Sequence, residues 1–145
     1  MAYWAKSGYP KLNTYSSTNS LINALATKMS TNRNTGGTSV SNMVSGMKSY
    51  ITGKGYSATV TSYTGTFSRH VTEIKAGYPS WVTTENHPVW GDHAMTGVGY
   101  EEYYDTNALK WNRQLILHDT WSDTPKDYWV KWSSYFDYII KVRPS

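Results

Sequence analysis

The chain has 145 residues, 39% of them hydrophobic and only 17% charged, with seven Trp and thirteen Tyr; it is long enough to bury a core as a single domain, 1–145, and that core is expected to be aromatic-heavy. The formal net charge of +4 is spread over single Lys and Arg residues with no basic block, so nucleic acid is not an expected partner, and no apolar run approaches the roughly 18 residues that membrane insertion requires. There is no cysteine, which excludes disulfides and thiolate metal sites. No signal peptide precedes the first elements, so the chain reads as a mature or excised piece, and its Ser, Thr, Asn, Tyr and Gly richness resembles bacterial extracellular domains, giving a secreted or cell-surface location as the expectation.

In chain order, Ala2 to Lys6 is expected to be a helix end, stopped by Ser7-Gly8 and Pro10. A helix capped by Thr18 or Asn19 follows, with Leu21, Ile22, Leu25 and Met29 expected on its core face. Thr38 or Ser39 caps the next, in which Val40, Met43, Val44, Met47, Tyr50 and Ile51 recur at helical spacing until Gly53 and Gly55. The alternation from Tyr56 to Tyr63 predicts a strand, and Thr66 opens a short helix with Phe67, Val71 and Ile74 inward; His70, beside Arg69, is expected at the surface. From Pro79 onward the expected elements are strands: Ser80 to Thr84, His93 to Tyr103, Arg113 to Asp119, Asp127 to Trp132 and Tyr138 to Val142. Helices first and strands afterwards predict an α+β fold, N-terminal helices packed on a C-terminal antiparallel sheet.

The chemistry-bearing stretch is Asn86 to Tyr100. Its Gly91-Asp92-His93 loop runs into alternating small and apolar residues, which delivers a histidine to the mouth of a strand, a common way to place a general base. The later run Gln114 to Asp119 is a second apolar strand ending in a carboxylate, and antiparallel pairing would set Asp119 beside His93 to hold its ring. The plainer alternatives are a loop histidine and a strand-end Asx turn. His87, His93, Asp92 and Asp119 have no metal-ligand spacing, so no metal and no cofactor is expected. Trp90 and Trp121, with Gly91 and Asp92, are candidates for lining a substrate groove; core packing is the competing role for the tryptophans.

Gly91-Asp92-His93-Ala94, Gly97-Val98-Gly99-Tyr100 and His118-Asp119-Thr120-Trp121 resemble the second half of a C39-like, papain-fold cysteine peptidase. The likeness extends upstream through Gly36-Gly37-Thr38, Gly53-Lys54-Gly55-Tyr56 and Ala76-Gly77-Tyr78-Pro79. It implies a papain-like fold, His93 as general base, Asp119 as its orienter, and a Cys at the start of an N-terminal helix as nucleophile. No Gln and Cys-Gly-Pro-Thr segment occurs in these residues, and Met1 to Pro10 looks like the tail of that helix. Three alternatives follow: a peptidase domain whose nucleophile segment lies outside this chain, a pseudoenzyme that binds extended peptides, and a carbohydrate-binding or adhesion module of the cell surface. As it stands the chain is expected to be an inactive hydrolase domain. Its expected partners are a peptide or protein substrate and either a second copy, as a homodimer, or an N-terminal segment covering the helix site.

Overall fold

The computed structural model describes residues 1–145. Ala2–Lys6 (α1) is followed by a 3₁₀ turn, Pro10–Asn13, then by Thr18–Lys28 (α2), Val40–Gly53 (α3), Ala58–Thr64 (β1) and Phe67–Lys75 (α4). Five strands complete the chain: Ser80–His87 (β2), Gly91–Asp105 (β3), Lys110–His118 (β4), Tyr128–Lys131 (β5) and Phe136–Pro144 (β6). The six strands form one antiparallel sheet in the order β1-β6-β2-β3-β4-β5. With its helices N-terminal, the fold is α+β and papain-like. Two compact units make it up, residues 1–61 with 142–145, and residues 62–141.

In the first unit α2 is capped by Ser17, whose hydroxyl accepts from the Ser20 N–H at 3.2 Å, one residue earlier than the expected Thr18 or Asn19. Leu21 and Met29 are buried, but Ile22 is 55% exposed. The spacing explains the correction: positions 21, 25 and 29 share a face, and position 22 lies about 100° round the helix from 21. Ser39 caps α3, and Met47, Tyr50 and Ile51 are its buried face. The two helices meet at Gly46, where a Cβ would stand 2.6 Å from the Lys28 carbonyl oxygen, so only glycine allows this approach. Tyr50 donates to the Leu12 carbonyl at 2.9 Å; burial, with the neighbouring Tyr15, pushes its phenol up to about 12.

In the second unit the core is formed by Phe67 of α4 with Val82, Met95, Leu115, Leu117, Phe136 and Ile139 of the sheet, and by Trp90. Val82 pairs with Met95 and with Ile139, and Gly97 pairs with Leu117, so one face of β2, β3, β4 and β6 supplies this core. Thr66 caps α4, accepting from the Arg69 N–H at 3.2 Å. Phe67, His70 and Glu73, three apart, are buried, and His70 is therefore an interior residue, not the surface residue expected from its charged neighbour. Its ring lies against β3 at Gly97, where a Cβ would be 2.6 Å from the imidazole Cε1 and 2.7 Å from the Ser80 hydroxyl. The Gly97-Val98-Gly99 run is thus a socket for a helix histidine.

Candidate active site

His93 is the third residue of β3, paired with Thr84 of β2. Two residues before the buried Met95, it shares that residue's face of the strand and stands half-buried at the end of the core. The loop after β4 comes back to it. Thr96 pairs with His118, so Asp119, the next residue, leaves the sheet beside the start of β3.

The contact that forms is not the expected one. His93 Nε2 lies 2.9 Å from the main-chain oxygen of Asp119, whereas the Asp119 carboxylate is occupied elsewhere. One of its oxygens accepts from the Trp121 N–H at 3.1 Å and from the Thr124 hydroxyl at 2.6 Å. The other accepts from the Trp90 indole N–H at 3.2 Å. A carbonyl oxygen only accepts, so Nε2 carries the proton in the neutral ring and Nδ1 carries the lone pair. That Nδ1 makes no hydrogen bond within the chain. A half-exposed imidazole with a fixed tautomer and an unpaired basic nitrogen is poised to take a proton from a neighbouring acid.

Asp119 is 1% exposed. Burial on its own would raise its carboxyl, but hydrogen bonds from Thr124, the Trp121 N–H and Trp90, with the charge of His93, outweigh that and hold it below the usual carboxylate range. The residue is therefore an anion held by three donors. The next residue, Thr120, has φ +71°, an outlying conformation for a β-branched side chain, and its hydroxyl lies 2.5 Å from the same Asp119 oxygen that His93 uses. The carboxylate makes the strand-end Asx turn, and it is the carbonyl, not the expected carboxylate, that meets the ring.

The other expected site residues divide. Trp121 is 40% exposed, its ring centroid 5.9 Å from that of His93, and so it borders the site. Trp90 is only 7% exposed and belongs to the core cluster; it supports Asp119 from behind and does not line an open groove. Gly91 takes φ +60° to start β3, and Asp92 accepts from the Asn86 N–H at 2.8 Å, tying the β2–β3 turn. His87 stacks on Trp90 with centroids 4.5 Å apart; its Nδ1 accepts from the Val89 N–H at 3.1 Å, and burial lowers its pKa. No group of three or more His, Asp or Glu side chains is arranged to hold a metal ion.

Sequence reasoning missed Thr124, the strain at Thr120 and the use of the Asp119 carbonyl. Thr124 had a legible signal, a hydroxyl five residues after an Asp in a loop rich in Ser, Asp and Thr. The carbonyl had none, because every residue has one.

An α+β papain-like sheet with a half-buried histidine near the start of β3 is the setting of a peptidase-related domain. The profile of the Peptidase_C39 like family matches residues 3–140, and the chain belongs to that family. No curated protein and no solved structure matches it.

Proposed function

We propose that this chain carries the base of a cysteine-peptidase site and takes its nucleophile from a thiol outside these 145 residues. The observation that supports this is the unpaired Nδ1 of His93, left as the basic nitrogen because Nε2 is committed to the Asp119 carbonyl. In the reaction Nδ1 removes the thiol proton, and the thiolate attacks the peptide carbonyl carbon. The imidazolium, its Nε2–H still held by Asp119, then returns the proton to the departing amine. Asp119, buried and anionic, adds a stabilising charge to the imidazolium. His93 is thus the catalytic residue, Asp119 its partner, and Trp121 the substrate-side neighbour.

No cysteine is present, so this chain alone forms no acyl-enzyme. The thiol would come from an N-terminal segment or from a cysteine-bearing partner docked beside His93, in a domain working outside the cell. A second reading, an inactive peptide- or carbohydrate-binding module, is favoured by the same lack of cysteine together with the exposed Trp121 beside His93.

The test is proteolysis of casein and of a mixed peptide library by two products, this chain and the longest reading-frame product that contains it. The expected result is no turnover by the chain and thiol-dependent turnover by a cysteine-bearing longer product, lost in His93→Ala. Peptide binding with no cleavage by either product would replace the peptidase reading with the binding module. Cleavage by the chain alone would overturn both, because it would require a hydroxyl nucleophile.

A further inference from the structure

His93 is oriented by a peptide carbonyl, and that carbonyl is held in place by a built structure. The Asp119–Thr120 peptide is turned so that its oxygen faces the ring, and the turn requires Thr120 at φ +71°, a conformation that a β-branched residue adopts only when its surroundings impose it. What imposes it is the Asp119 side chain. Buried to 1% exposure, its carboxylate is fixed by Thr124 and the Trp121 N–H on the far side of the turn and by the Trp90 indole on the β3 side. Three bonds to one ion from two directions leave the main chain little freedom. The carboxylate has no hydrogen bond to His93, and both its oxygens are already engaged.

We propose that the main-chain carbonyl of Asp119 is the orienting group of His93, and that Trp90 and Thr124 are positioning residues that hold it through the Asp119 carboxylate. This rests on His93 being the base, but it concerns how the ring is held and is measurable without turnover. It assigns Trp90 a role that its place in the core cluster hides: the indole N–H ties the strand carrying His93 to the loop carrying its acceptor.

The experiment uses the full chain with ¹⁵N-labelled histidine and reads the two tautomers of His93 from long-range proton–nitrogen correlations at neutral pH. Replacing Thr120 by its α-hydroxy acid analogue turns the Asp119–Thr120 amide into an ester. The ester weakens that carbonyl as an acceptor and leaves every side chain intact. The minor, Nδ1–H form of His93 should rise about threefold, the change expected when a modest net hydrogen bond is weakened. Trp90→Phe keeps an aromatic ring in the core but removes the indole N–H; it should shift the same ratio in the same direction, by less.

The opposing account, in which the Asp119 carboxylate orients the ring, predicts the reverse pattern. The ester would then leave the tautomers unchanged, and Trp90→Phe, by releasing a carboxylate oxygen to swing onto Nε2, would favour the Nε2–H form further. Either of those results overturns the proposal. If the ester chain fails to fold, Trp90→Phe decides by the sign of its shift. Loss of the peptidase reading would show in the proteolysis test and leave these tautomer shifts in place.

Discussion

Two histidines lie against the same strand, and they end in opposite conditions. His70 is fully buried, its Nε2 donating to the Gly99 carbonyl at 2.8 Å and its Nδ1 accepting from the Ser80 hydroxyl at 2.8 Å. Burial lowers its pKa, outweighing the Gly99 contact and the charge of Glu73, which raise it. His93, at the other end of the same face, also donates Nε2–H to a main-chain oxygen but leaves Nδ1 unpaired. The difference teaches how to separate a structural histidine from a chemical one when both sit on a conspicuous motif. A ring with both nitrogens satisfied and no water contact is a packing element, and a ring with one nitrogen fixed and one open is a base in waiting.

The sharpest way to break this comparison is to delete each ring. His70→Ala would leave a cavity and orphan both the Ser80 hydroxyl and the Gly99 carbonyl, costing about 3 kcal/mol of stability. His93→Ala removes a half-exposed ring with one hydrogen bond and should cost about 1 kcal/mol or less. Urea unfolding of the two variants measures the gap, and equal losses would mean that His93 is as structural as His70. Gly97→Ala attacks the socket itself. Its new methyl would meet the His70 ring at 2.6 Å and Ser80 at 2.7 Å, and neither can retreat without breaking its bond, so a loss of about 2 kcal/mol is expected in the same assay.

Acid tests the comparison at a finer scale. Because the folded state holds His70 below the ordinary histidine value, the unfolded chain binds the proton first as pH falls. Stability should be full above about pH 6.5 and fall below it, by up to about 1.4 kcal/mol per pH unit for each such histidine. His87, also lowered by burial, adds to the same window. Asp119, held below the usual carboxylate range, gives stability that is present above about pH 4 and is lost as pH falls further. Melting temperatures from pH 8 to pH 3 should therefore decline in two stages, and a flat profile between pH 7 and pH 5 would remove the buried neutral histidine from the account. Trp90→Phe should cost about 1.5 kcal/mol for one bond to a charged acceptor, less than His70→Ala and Gly97→Ala but more than His93→Ala, read by the urea midpoint.

The fold was legible where periodicity and punctuation agree. Ser39 and Thr66 announce their helices by cap chemistry, and Met47, Tyr50 and Ile51 mark a buried face at helical spacing. The strands were recognisable, and β3 and β4 were drawn short: β3 runs to Asp105 and β4 begins at Lys110, because the exposed Tyr103, Tyr104 and Trp111 at the hairpin end have no buried side to alternate against. His70 was misplaced because a polar residue next to Arg69 looks solvated, and only the three-dimensional socket of Gly97 and Ser80 shows otherwise. At the site, His93 and Asp119 were readable as a pair from strand order alone. That the carbonyl and not the carboxylate meets the ring depends on the twist of one peptide at Thr120, a feature of φ that side-chain identity does not encode.

The most direct test of the open nitrogen is carbethoxylation by diethyl pyrocarbonate, which attacks an accessible unprotonated ring nitrogen, followed by trypsin and mass spectrometry. His70 heads the peptide that follows Arg69, and fragmentation separates His93 from His87 in the peptide that follows Lys75. The account predicts that in the folded chain His93 is modified and His70 is not, and that His70 reacts only once urea has unfolded the protein. A folded chain in which His93 resists the reagent, or in which His70 reacts alongside it, would contradict the claim that the histidine on β3 has an open nitrogen and the one packed against β3 from α4 is a packing element.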